Sequence, residues 1–402
     1  METIRCDVLV CGGGTAGLPA ALAAARQGRQ VCVVEDDPRI GGAMADQFVQ
    51  LRCGEPVQGI FRELLEGTAA FNPEQRNHNG YPYAACLMVW NALFEGLPVR
   101  FFCGEPVREV EVENGAIRAV RTEHHTFRAA VVIDTTGDGV VAAMAGCPFR
   151  YGRESRAAFG ERFAPETADR AVQRCTMLYQ VTRRSDCLHR EPGNWVSIDD
   201  DTFLIWGPSL ECEDTTDPVC VREVQWKALE MVRAESKMWL EKGFYISGIA
   251  PKIGVRESRR LVGAFTLCYD DMLEKRTYPD AIAVVNYPID FWDPVGRSVD
   301  GYSGVEEENA RTPFYEIPYR CLYNPEFSNL LFAGRCLSAT HIAAASLRVM
   351  AIASVTGQAV GLAAAQAAAD GLPVDAVDTE RLRRELREGG VAVSLDEFLK
   401  SH

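Results

Sequence analysis

Residues 6–35 read CDVLVCGGGTAGLPAALAAARQGRQVCVVE, and this stretch decides the fold. An apolar run, Val8, Leu9 and Val10, turns through Gly12, Gly13, Gly14 and Gly17 into about ten alanine-rich residues, the pattern of a helix that Gly28 then stops. A second apolar run begins at Val31 and ends on Glu35. Strand, helix and strand, with G-x-G-x-x-G at the first turn, form a dinucleotide-binding unit. Gly12 permits a turn too tight for a β-carbon, Gly14 lets backbone approach a pyrophosphate, and Gly17 lets helix and strand pack closely. The helix N-terminus offers free N–H groups and the positive end of its dipole to phosphate. Glu35 stands where a carboxylate accepts hydrogen bonds from the ribose hydroxyls and repels a 2′-phosphate, which disfavours NADP.

The rest of the chain is compatible with that unit. Its 402 residues exceed a minimal domain, and a 47% hydrophobic content supports a large core. The net charge of −14 argues against nucleic acid or an anionic membrane as a partner. The first strand begins by residue 7 with no basic run before it, so no secretory leader is expected. Fourteen cysteines are scattered without any C-x-x-C, which reads as reduced thiols in a cytoplasmic protein.

Further along, Arg39 to Met44 carries a Gly-Gly pair, a second place for close backbone approach. Residues 58–66 read as an amphipathic helix and 71–82 as a surface loop. From Val99 the pattern alternates, with a hairpin expected at Asn114 and Gly115 and an apolar face of Val110, Val112, Ile117 and Val120. His124 and His125 are adjacent on this meander and point to opposite faces, so they are no metal pair. Residues 151–325 hold five of the six tryptophans and acidic runs at 199–201 and 306–308, and read as an α+β substrate domain. Leu330 to Ala333 is a short buried strand. A small-residue helix is expected from about Arg348 to Asp370, with Gly357 and Gly361 packing it tightly against a sheet. Its polar residues argue against a membrane span. A last helix, 379–388, is capped by Asp378 and stopped by Gly389.

Three separated motifs, Gly12 to Glu35, DTTGDG at 134–139, and LFAGRCLSATH at 331–341 with SLRVM at 346–350, resemble the FAD-dependent oxidoreductases of the glutathione-reductase-like superfamily. The likeness is to the bacterial branch related to fumarate reductase flavoproteins and the flavin subunit of heterodisulfide reductase. VRESRRLVG at 255–263 and YEIPYR at 315–320 resemble that branch too. The resemblance implies an α/β fold: a Rossmann-like FAD domain of parallel sheet and β-meander, residues 1–150 and 326–402, with the substrate domain 151–325 inserted. It implies FAD contacts from Gly12, Gly14, Thr15, Ala16, Gly17, Glu35, Asp36, Arg39, Gly42, Ala43, Met44, Val107, Thr136, Gly137, Asp138, Gly334, Arg335, Arg348 and Val349. The helix near Arg348 should aim its N-terminus at the flavin, where dipole and guanidinium would stabilise the charge of reduction. The chain departs from the branch at Gln47, commonly glycine, and at Phe291-Trp292, commonly Ile-His.

A flavoenzyme holds a substrate carbon by the flavin and needs a group to move the accompanying proton. His341 is the leading candidate, with Arg348, Tyr287, Asp290 and an arginine of the strand-like 256–260 stretch (Arg259 among them) as further catalytic or substrate-binding groups. Arg256 and Arg260 should share one face there, opposite Arg259. No Ser-His-Asp spacing, metal-ligand set or P-loop appears. The expected function is hydride transfer between flavin N5 and a small polar, hydroxylated or carboxylated, organic substrate, with an unidentified electron donor or acceptor. The alternative is an electron-transfer or assembly subunit without its own substrate. Self-association into a homo-oligomer is left open.

Overall fold

A computed structural model describes residues 2–73, 80–187, 191–193, 195–292 and 312–401. The acidic run at 306–308 and half of the loop expected at 71–82, residues 74–79, lie outside them.

The chain opens as read: strand β1 (Glu2–Cys11), helix α1 (Gly17–Arg26) and strand β2 (Val31–Glu35). Strands β3 (Val99–Cys103), β4 (Glu109–Glu113), β5 (Ala116–Arg121) and β6 (His125–Asp134) follow. They order as β3-β2-β1-β6-β5-β4 in a seven-stranded sheet. The inner pairs are parallel, and β4-β5-β6 is an antiparallel meander. The seventh strand, Leu330–Phe332, runs parallel to β6 beside residues 132–134, whereas β5 pairs with its residues 126 and 127. One edge of β6 is therefore shared between a meander strand and a strand nearly 200 residues later.

Alternation along β1 sorts two cores. Val8 and Val10 face α1 and the long helix Met350–Asp370; Leu9 and Cys11 face Phe127, Phe332 and Val141. The long helix is apolar and long enough to cross a membrane by composition, yet its apolar window is wholly buried inside the protein. Its glycines meet a helix rather than the expected sheet. A β-carbon on Gly357 would fall 2.0 Å from the Ala16 carbonyl oxygen, and one on Gly361 2.3 Å from that of Ala20. The helix also begins two residues later than read, because residues 341–347 form a separate short helix, His341–Leu347, capped by Thr340.

The hairpin turns at Asn114 and Gly115, with φ of 52° and 71°, the left-handed pair of a type I′ turn. A register shift follows Glu111 and sets Val112 opposite Ile117; Val112 stays exposed at this end of the hairpin, whereas Ile117 and Val120 are buried. Helix Tyr83–Phe94, apolar on most sides, was not foreseen.

Beyond residue 150, an antiparallel four-stranded sheet (strands Phe244–Ile249, Cys175–Arg183, Thr202–Leu210 and Trp195–Ser197, in that order) packs under helix Pro218–Lys242. Strands Ala281–Val285 and Tyr315–Pro318 pair with each other and are buried in the same core as α1 and the long helix. No described strand between residues 151 and 325 joins the seven-stranded sheet; an isolated bridge links Tyr323 to Leu331.

Candidate active site

The glycine turn is built by contacts that leave no room for side chains. Gly12 has φ +104°, and a β-carbon there would lie 2.5 Å from the Thr135 carbonyl oxygen. One on Gly17 would lie 1.8 Å from the Gly12 oxygen. Gly14 differs: its nearest neighbour would be the Cα of Gly42, at 3.6 Å. So Gly12 and Gly17 are closed by the protein itself, while Gly14 lines open space beside the 41–44 loop. Ala16 stands at the N-cap of α1 and offers no side-chain cap. The Thr15 hydroxyl beside it is buried without a partner. An uncapped helix start, an orphan hydroxyl and an open glycine make a cradle for a phosphate group.

Glu35 closes the other end. Its Oε2 accepts from Gly13 N at 2.5 Å and its Oε1 from Asp37 N at 3.0 Å. A carboxylate has about four lone-pair sites, so acceptor capacity remains for ribose hydroxyls. Burial and the hydrogen bond with Asp36 push the Glu35 carboxyl up to about 8. Oxygens of Glu35, Asp36 and Asp37 lie within 4.8 Å of one another, and Lys252 reaches Asp37 at 2.5 Å to offset them. Arg39 is engaged with Asp46, at 2.9 Å, and lies over the Tyr83 ring. Val107 packs at the edge of the second core.

The 134–139 turn is organised by buried Asp134. Its carboxylate accepts from Thr136 N, the Thr136 hydroxyl and Ala142 N. Asp138 then accepts from Ser258 at 2.5 Å and Arg335 at 2.7 Å, while Arg259 donates to its carbonyl. Arg259 and Arg335 thus meet at this turn together with Ser258, a residue the sequence reading passed over. The 256–260 stretch is not the strand expected: only Arg260–Leu261 is.

His341 and Arg348 bound the short helix. His341 is 1% exposed; its Nδ1 lies 2.7 Å from Glu257 Oε1, and Phe291 packs edge-to-face against the ring. Burial alone would raise the Glu257 carboxyl, but the neighbouring His341 and Arg260 charges hold it below the usual range. An ionised carboxylate can only accept, so Nδ1 carries the proton and Nε2 is the ring's open position. Nε2 is buried and has no partner among the described residues. Arg260, fully buried, pairs with Glu257 and Glu154 and is structural.

Arg348 pairs with Asp290 at 2.6 Å, and Trp292 Nε1 donates to the same carboxylate at 2.9 Å. Tyr287 and Cys53 lie beside them, both raised by burial. Arg256 Nη1 donates to Arg174 O and Thr176 Oγ1, with its guanidinium 3.7 Å over the Trp292 ring. This group lies at the start of the long helix, against which Gly54 of the 47–54 segment also packs.

The sequence profile of the family described as FAD dependent oxidoreductase matches residues 7–386. The chain belongs to the FAD-dependent oxidoreductase family. It is an FAD enzyme, and the phosphate cradle and Glu35 fit the cofactor's pyrophosphate and ribose; bound FAD supplies the two-electron chemistry. The tRNA uridine 5-carboxymethylaminomethyl modification enzyme of Bacteroides fragilis is 28% identical over 151 residues, 33% of this chain and 24% of that one. The 4-oxocyclohex-2-ene-1-carboxylate 5-dehydrogenase of Sinomonas cyclohexanicum is 54% identical over 44 residues, 11% of this chain and 8% of that one. The enzyme thus spans about a quarter or less of the length of these curated relatives. Among solved structures, a geranylgeranyl bacteriochlorophyll reductase-like protein from Thermoplasma acidophilum is 13% identical, with 97% of this chain and 85% of that one covered at a TM-score of 0.45.

Proposed function

We propose that the enzyme transfers a hydride between FAD and a small polar organic substrate, and that it belongs near the fumarate-reductase-related branch of its superfamily. The observation that carries this is the convergence of Cys53, Tyr287, Asp290, Arg348 and Arg256 beside the start of the long helix. A carrier of electrons alone has no use for so many ionisable side chains drawn from four segments, and desolvating them is costly. His341 is the group for the accompanying proton: Glu257 fixes its tautomer and leaves Nε2 open. The name of the Sinomonas relative, a dehydrogenase of a cyclic oxo-carboxylate, agrees with such a substrate. The fourteen free cysteines support a cytoplasmic setting.

The test is anaerobic. Hydroxy acids, enoates, cyclic carboxylates and sugars are mixed with the yellow protein and the flavin band is followed; for substrates reduced by the enzyme, reoxidation of the reduced protein is followed instead. Bleaching or reoxidation by one class supports the proposal. An inert flavin that still exchanges electrons with a redox protein would favour the electron-transfer subunit.

A further inference from the structure

Resting on that reading, we infer that the substrate enters as a carboxylate and that Arg256, with Arg348 beside it, is its anion-binding residue. The argument begins with a count of charges. Two guanidiniums, Arg256 and Arg348, stand near one carboxylate among the described residues, that of Asp290, which pairs with Arg348 alone. Asp290 is already committed to Arg348 and to Trp292 Nε1. One positive charge is left over, which matches a monoanion.

Arg256 differs from most of the arginines around the site and shares only with Arg259, which donates to the Asp138 carbonyl, the lack of an ion pair among the described residues. Arg260 pairs with Glu257 and Glu154, Arg335 with Asp138, Arg39 with Asp46 and Arg174 with Glu211. Arg256 has no carboxylate within salt-bridge distance among the described residues; its two hydrogen bonds go to neutral oxygens, and both leave from Nη1. The Nε–Nη2 edge therefore makes no bond among the described residues, and that edge offers two parallel N–H groups to the two oxygens of a carboxylate. The residue as a whole is half-buried, with its guanidinium desolvated against Trp292. Stacking on Trp292 and the two Nη1 bonds fix the fork before anything binds, which lowers the entropy cost of capture. Burial and the like charge of Arg348 push the guanidinium down to about 9, a strain that an incoming anion relieves. Arg348 contributes a second donor: its Nε is buried and has no partner among the described residues.

The experiment uses the FAD-loaded protein and pairs of probes that differ in charge alone: benzoate against benzamide, and cyclohexanecarboxylate against its amide. Binding is read by calorimetry and by the shift of the flavin band. The acids should bind at least about tenfold more tightly than the amides, as expected for charge-assisted hydrogen bonds. Arg256→Met should erase that preference while FAD content is kept, and Arg256→Lys should recover part of it. Equal binding of acid and amide, no binding of either acid, or an undiminished preference in Arg256→Met would overturn the inference. The hydride-transfer reading fails differently: carboxylates would bind with the stated preference, yet no organic compound would bleach or reoxidise the flavin.

Discussion

Replacing Gly357 by alanine sets two effects of opposite sign against each other. In a helix interior, alanine is favoured over glycine by about 1 kcal/mol. The new β-carbon, however, would sit 2.0 Å from the Ala16 carbonyl oxygen, where ordinary contact begins near 3.4 Å. To relieve that, the long helix and α1 must part by about 1 Å, and overpacking of this kind costs about 1–3 kcal/mol. With a backbone carbonyl as the obstacle, the upper end applies, leaving a net loss of about 2 kcal/mol. Gly361→Ala meets the Ala20 oxygen at 2.3 Å and should lose a similar amount. Only Gly357 presses on the N-cap of α1. A shift of about 1 Å there moves the phosphate-facing N–H groups outside hydrogen-bonding range. Gly357→Ala should therefore bind FAD at least about tenfold more weakly, and Gly361→Ala within about threefold of the parent. The assay is thermal melting of FAD-free protein together with FAD titration. A Gly357→Ala protein more stable than the parent, or equal FAD losses in both variants, would refute the reasoning.

His341→Ala should keep its fold and yellow colour but slow flavin reduction by substrate by at least about a hundredfold, the usual loss for a general acid or base; a parental rate in stopped flow would make the imidazole structural. Gly14→Val should fail to retain FAD, because its side chain would fill the open space at the cradle; normal flavin absorbance after purification would contradict this. Glu35 predicts a pH effect in the FAD-free protein. Its folded carboxyl sits near 8, above an unfolded value of about 4.3, so the folded state holds a proton that the unfolded state has released. That cost is absent below pH 4, grows as pH rises through this window and is complete above 8. Calorimetric melting temperatures should fall more steeply between pH 5 and 8.5 in the parent than in Glu35→Gln; parallel slopes would rule the assignment out.

The FAD domain was legible where its signals are local. Residues 6–35 carry their periodicity and glycines in one stretch, and the Asn114-Gly115 turn announces itself by residue type. Helix Tyr83–Phe94 escaped because YAACLMVWNALF has no polar face to mark a helical period. The arginines at 256–260 were readable as arginines, but their partners were not. Arg260 and His341 meet on Glu257, 84 residues before His341, and Arg348 finds Asp290 58 residues away. The sequence suggested that Gly357 and Gly361 pack tightly, and only the fold could say that α1 is what they pack against. Which ions pair, and which cation is left without an acid, is a property of tertiary contact and has no local sequence signal.

The divided edge of β6 has a consequence for synthesis on the ribosome. The strand is complete by residue 134, yet half of its outer edge waits for Leu330–Phe332, and α1 waits for Gly357 and Gly361 to cover it. At about 5–20 residues per second, that interval lasts roughly 10–45 s. During it, the nascent chain carries an open strand edge and an apolar helix face, the surfaces that pair with the wrong partner. Cofactor capture is thereby placed after the long helix has been made, and chaperone demand should peak for chains arrested between residues 140 and 330.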